Sequence, residues 1–171
     1  MYDSVRSLLE LVQEAVSPWH TVQAVRKRLS KADFQPLKLG EKWQLESGKS
    51  YYVEAFDSTV LAFTIGCNGY TEANNLRIAA SHTDFPGLRI KPQASVIKDG
   101  YGVLNIESYG GLILASWQDR PLSIAGKITL KGQDAFHPQV RLVDFAKPLL
   151  TIPELAIHMN RKVNEGVALK K

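Results

Sequence analysis

Residues 75–91 read N-L-R-I-A-A-S-H-T-D-F-P-G-L-R-I-K. Leu76, Ile78, Ala79 and Ala80 form a short, mostly apolar run of strand length. The run ends in Ser81-His82-Thr83-Asp84, and Pro86-Gly87 breaks it. This pattern predicts a buried strand that carries one imidazole and one carboxylate at its C-terminal end. In open α/β sheets ligands bind beyond that end of the strands.

Alternate side chains of an extended segment point the same way, so Asp84 is expected beside His82. A histidine that ligates a metal needs its other ring nitrogen held, and a carboxylate can hold it while raising its basicity. The pair therefore suits a zinc ligand and its orienting group. It equally suits a His and an Asp that cap a loop after a core strand. The tripeptide leaves both readings open.

Upstream of this stretch, Val5, Leu8, Leu9, Val12, Ala15 and Val16 follow helical spacing. They predict an amphipathic helix over 3–16, capped by Asp3 or Ser4 and stopped at Ser17-Pro18. A second helix is expected over about 20–32, with Val22, Val25 and Leu29 on one face. His20, at its start, is either packed under the domain or a residue that supports the site. Residues 34–65 read as a strand meander with a turn at Asp57-Ser58 and a buried run over Val60–Ile65. Cys67 reads as a small, buried or half-buried hydrophobe.

Downstream, residues 88–145 consist of short β runs broken by Gly and Pro, with no helical period. A domain boundary is expected near Pro92. Residues 1–91 would begin an α/β domain, and residues 92–171 would begin a β-rich one. Trp117 and Tyr109 are expected to pack within the β-rich part. Asp119-Arg120 reads as a local ion pair or as a contact in an assembly. From Pro153 the spacing of Leu155, Ile157, Met159 and Val163 turns helical, with Pro153 in the first turn. His158 falls in that helix, where a histidine on a half-buried face is the simplest reading.

The totals narrow the class. A hydrophobic content of 44% and a charged content of 22% are those of a globular domain. No apolar run approaches the roughly 18 residues that span a bilayer, and no basic segment followed by an apolar core marks a signal peptide. Cys67 is the single cysteine, which excludes a disulfide framework and a Cys-based zinc site. A lone thiol fits a reducing compartment, here taken as the cytoplasm. The net charge of +4 is spread over Arg26-Lys27-Arg28, Arg161-Lys162 and Lys170-Lys171 without interleaved aromatics. Solvated helix faces explain it better than a nucleic-acid footprint.

Four motifs in order strengthen the zinc reading. A-A-S-H-T-D-F-P-G-L-R-I-K-P, from Ala79 to Pro92, resembles the first metal-ligand segment of the aspartyl aminopeptidase family. Those enzymes are binuclear zinc aminopeptidases related to yeast vacuolar aminopeptidase I. Ser17-Pro18-Trp19-His20-Thr21-Val22 resembles the family's S-P-x-x-H-A-V segment. Tyr109-Gly110-Gly111, with Trp117-Gln118-Asp119-Arg120-Pro121-Leu122-Ser123-Ile124-Ala125-Gly126, resembles its Y-G-G-G…W-x-D-R-x-L-x-L-A-G segment. Ile152-Pro153-Glu154-Leu155-Ala156-Ile157-His158-Met159-Asn160-Arg161 resembles its I-P-x-L-A-I-H-x-x-R segment.

The resemblance implies the start of an α/β/α zinc-peptidase catalytic domain followed by a β-rich inserted dimerisation domain, truncated within that domain. It implies two zinc ions per complete site, with cobalt or manganese as possible substitutes. His82 would be a metal ligand, Asp84 its orienting residue, and His158 a substrate contact lent to a neighbouring subunit. The substrates implied are peptides, with acidic N-terminal residues suggested by the family name. The β-rich part implies a homo-oligomer. The family's bridging Asp, Glu-Glu pair and final His match nothing here, which implies an N-terminal portion of a larger enzyme. The alternative is a catalytically inactive oligomerisation module. Binding to nucleic acid or membrane is not expected.

Overall fold

A computed structural model of the chain describes residues 2–67, 76–163 and 165. It divides into two compact units, Met1–Pro86 with Ala125–Asp144, and Gly87–Ile124 with Phe145–Lys171.

The first unit opens with helix α1 (Asp3–Glu14) and helix α2 (Pro18–Lys31). Neither expected side chain caps α1. Tyr2 occupies the cap position, and no side chain accepts from the first turn. Ser17-Pro18 begins α2 as well as ending α1: Ser17 Oγ accepts from the His20 N–H, and Pro18, which has no N–H to satisfy, takes the first turn. Glu14 meets Lys27 and Arg28 at 3.7 and 3.3 Å, which holds the helices together. The helical period of α1 is as expected, but its apolar stripe is not buried. Val5, Leu8, Leu9 and Val12 are all exposed. Helix α2 buries Val22 and Ala24 and contacts the sheet.

That sheet has the order β1-β2-β3, from β1 (Gln35–Leu37), β2 (Ser50–Ala55) and β3 (Thr59–Thr64). Strand β2 pairs parallel with β1 and antiparallel with β3, so the expected meander holds only for its second half. Tyr51, Tyr52 and Val53 are all buried, so the central strand is covered on both faces. The Tyr51 ring lies 5.8 Å from that of Phe63, and its hydroxyl accepts from the Glu46 N–H. The expected burial of 60–65 fails except at Ile65. Strand β3 is an edge, and Leu61 points out at 57% exposure. Phe56 and Asp57, with φ of 54° and 58°, take the left-handed region in the three-residue turn between the paired Ala55 and Thr59. A second hairpin completes the unit: β6 (Ala125–Leu130) pairs antiparallel with β7 (Gln139–Asp144).

The second unit is built on a long ribbon of β4 (Gly87–Lys98) and β5 (Tyr101–Tyr109). Asp99-Gly100 turns it, both with positive φ, as an Asp-Gly hairpin should. Pro92, where the composition changes, lies inside β4. The strand tolerates it because the register shifts between Ile90 and Ser95, and a bulge needs no ladder N–H there. Arg89 lies 3.9 Å over the Tyr109 ring. The apolar run 112–114, expected as β, instead leads into a 3₁₀ turn, Leu114–Trp117.

Two further expectations are corrected. Residues 153–163 form no helix; they are a loop with successive turns. Helical spacing alone nucleates nothing when it is short and has no face to pack against. Cys67 is exposed, not buried.

Candidate functional site

The stretch before His82 differs most from its expected form. Residues 76–80 belong to none of the strands, and Leu76 and Ile78 are 85% and 83% exposed. An apolar run becomes a buried strand only when neighbours supply both ladder partners and a covering layer. None of the described strands flanks this run.

The side chains after it do come together. His82 Nδ1 lies 3.0 Å from Asp84 Oδ1. His82 is 89% exposed along its side chain, whereas Asp84 is only 32% exposed. Between them, Thr83 Oγ1 donates a 2.7 Å hydrogen bond to the Ser58 carbonyl, at the end of the β2–β3 turn. The middle residue therefore moors the loop and the outer two meet on its far side. The carboxylate engages Nδ1, which leaves Nε2 as the imidazole nitrogen available to a ligand. That is the arrangement of a ligating histidine and its orienting carboxylate.

The described residues do not complete a metal centre. No group of three or more His, Cys, Asp or Glu side chains is assembled among them. One imidazole and its partner are too few for zinc, which takes at least three protein ligands. His82 thus fits a zinc site as one donor of a larger set.

A second His–Asp pair serves a turn. In the turn after β6, Asp134 accepts from His137 Nδ1 at 2.8 Å and from the backbone N–H groups of Phe136 and His137. These bonds, led by the one from His137, hold the Asp134 carboxyl below the usual carboxylate range. Three convergent donors make this pair a turn device.

Elsewhere in the first unit, a cavity of about 290 Å³ is bordered by Trp19, Arg26, Glu54, Asp57 and Lys127 among others. Its charges are paired across it, Arg26 with Glu54 at 3.6 Å and Lys127 with Asp57 at 3.9 Å. His20, at the start of α2, shares a 2.7 Å hydrogen bond with Ser17 Oγ through Nδ1, so its local role is in the helix start.

In the second unit His158 is exposed within the 153–163 loop. Asp119 forms no ion pair with Arg120; its Oδ1 accepts the Glu154 N–H at 3.1 Å. Neither this contact nor the Thr83 mooring is visible in the sequence, because each joins residues far apart in the chain.

The chain shares its fold with aminopeptidases of known structure. The chain superposes on the protein in the "Cryo-EM structure of the Ape4 and Nbr1 complex" with a TM-score of 0.86 and 35% identity, covering 95% of this chain and 31% of that one. With the Chaetomium thermophilum mApe1 structure the TM-score is 0.79 at 29% identity, over 90% of this chain and 36% of that one. With the S. cerevisiae mApe1 dodecamer it is 0.75 at 25% identity, over 91% and 36%.

The chain belongs to the aminopeptidase I zinc metalloprotease (M18) family, whose sequence pattern matches residues 11–171. It is 43% identical over 165 residues to the "Probable M18 family aminopeptidase 2" of Clostridium novyi, covering 96% of this chain and 38% of that protein. The protein of the same name from Azotobacter vinelandii is 38% identical over 164 residues, with the same two coverages. The chain therefore spans well under half the length of these relatives.

Proposed function

We propose that this chain is the N-terminal portion of a zinc aminopeptidase that releases N-terminal residues from peptides. The observation that carries the reading is the His82–Asp84 contact, 3.0 Å long, in the segment resembling the family's first metal-ligand motif. His82 contributes one zinc ligand through Nε2. Asp84 holds the ring in the tautomer that leaves Nε2 unprotonated. Thr83 keeps both on one loop. The remaining ligands come from chain beyond residue 171, as the coverage of the relatives supports. Two zinc ions at the complete site supply Lewis acidity and a water of lowered pKa for attack on the scissile carbonyl.

Residues 1–91 begin the catalytic domain, and residues 92–171 begin the inserted oligomerisation domain. The change of composition to short β runs near Pro92 supports a β-rich second part, which in the fold begins with β4 at Gly87 and leaves the β6–β7 hairpin with the first unit. His158 serves as a substrate contact in a homo-oligomer; its exposure on a loop supports that role. The single thiol, Cys67, supports residence in the cytoplasm. No helix of the described residues is long and apolar enough to cross a membrane.

The test is hydrolysis of aminoacyl-naphthylamides by the longer polypeptide, with its zinc content measured alongside. Turnover that requires zinc and is lost in His82→Ala is the expected result. Zinc-dependent turnover unaffected by His82→Ala would remove His82 from the site. A second reading has one observation in its favour. The described residues gather no three-donor cluster, so the chain standing alone would be an inactive oligomerisation module.

A further inference from the structure

Asp119 and His158 lie far apart in sequence and are joined through one loop. Asp119 sits in the left-handed region, with φ of 52°, which Asp tolerates better than most residues. Its N–H donates to the Ile152 carbonyl at 2.9 Å, and its Oδ1 accepts from the Glu154 N–H at 3.1 Å. Pro153 has no N–H, so these two contacts bracket the one residue that cannot donate. Three residues further on, Leu122 and Leu150 exchange backbone bonds of 2.9 and 3.1 Å as an antiparallel bridge. The start of the I-P-E-L-A-I-H segment is thus docked along residues 119–122.

The same loop is closed again beyond Glu154. Glu154 Oε1 accepts from the Leu155 N–H at 3.2 Å and from Asn160 Nδ2 at 3.3 Å. The Ala156 carbonyl accepts from the N–H groups of Met159 and Asn160 at 2.8 and 3.1 Å. His158 is carried on this closed turn and is exposed. A charged acceptor makes the stronger kind of hydrogen bond, which suits Asp119 to the mooring.

We infer that Asp119 is a positioning residue for His158, acting through the Glu154 backbone and the Glu154–Asn160 closure. The inference rests on the proposed role of His158 as a substrate contact. Its effect is on binding of peptide, with chemistry left alone, so it should appear in KM.

Two measurements test it. In the 171-residue chain, Asp119→Ala should speed hydrogen exchange at the Glu154 amide about tenfold or more, the scale of one hydrogen bond to a charged group. Asp119→Asn, which keeps an oxygen at the same place, should restore most of the protection. In the complete enzyme, Asp119→Ala should raise KM about tenfold with kcat nearly unchanged, and Asp119→Asn should lie close to the original protein. In a His158→Ala background, Asp119→Ala should add nothing. Unchanged exchange at Glu154, or a KM rise of equal size with and without His158, overturns the inference. If His158→Ala itself leaves KM unchanged, the substrate reading fails and the positioning role with it, while the exchange data still judge the mooring. Should Asp119→Ala fail to fold, Asp119→Gly, which adopts the φ of 52° without strain, removes the same acceptor and carries the same KM comparison.

Discussion

The Thr83 hydroxyl donates to the Ser58 carbonyl at 2.7 Å, across 25 residues of chain. This bond ties the His82–Asp84 loop to the β2–β3 hairpin, whose turn is itself held in an uncommon left-handed pair at Phe56 and Asp57. Thr83→Val keeps the shape and removes the donor, leaving a part-buried carbonyl to water. It should cost about 1 kcal/mol, or roughly 2–4 °C in Tm for a chain of this size. Thermal melts of Thr83→Val and Thr83→Ser check this. Equal losses in both would assign the effect to packing and not to the hydroxyl.

His82→Ala should leave the fold intact. An 89% exposed side chain has little packing to lose, and such substitutions stay within about 0.5 kcal/mol. In the complete enzyme the same change should lower zinc content and abolish hydrolysis. Denaturant melts and elemental analysis on one preparation separate the two effects. A large loss of stability would mean that the imidazole is a structural group.

Asp84→Asn should act through His82. The amide can still accept from Nδ1–H but carries no charge to raise ring basicity. Zinc affinity of the complete enzyme should fall about 10- to 100-fold, the usual cost of losing such a partner. Competition with a chelator measures it. Unchanged affinity would limit Asp84 to shaping the loop.

The Asp134 turn has a pH dependence of known sign. The carboxyl is held below its ordinary range by His137 and by the Phe136 N–H, in that order. A depressed folded value means the turn's contribution is fully present above the unfolded carboxylate pKa and is lost as pH falls through the folded one. Carboxyl NMR titration should therefore find the Asp134 midpoint below that of an exposed Asp. The Phe136 and His137 amide resonances should move with it. Amide resonances that stay fixed through the Asp134 titration would show that the bonds are not made in solution.

The isolated 171-residue chain should not hydrolyse aminoacyl-naphthylamides with zinc, cobalt or manganese added. The described residues present no three-donor cluster, and zinc needs at least three protein ligands. It should also bind an apolar-surface dye, because Leu8, Val12, Leu76, Ile78 and Ile97 are all exposed. Turnover by this chain alone would overturn the ligand argument.

Local chemistry was legible in the sequence by itself. The periods of α1 and α2, the turn at Asp57-Ser58 and the adjacency of His82 and Asp84 depend on neighbours within a few residues, and each appears in the fold. So does family membership, since four ordered motifs are a property of the chain alone. The sequence also states that 76–80 is apolar, but it cannot say what covers that run. Burial depends on strands and layers contributed from elsewhere, and none of the described strands flanks it. The helical spacing after Pro153 misled for the same reason: a short amphipathic pattern becomes a helix when a surface receives its face, and here the carboxylates of Asp119 and Glu154 hold the backbone in turns instead. Only the tertiary structure decided the Asp119–Glu154 contact, because its donor and acceptor lie 35 residues apart and meet only through the folding of the intervening chain.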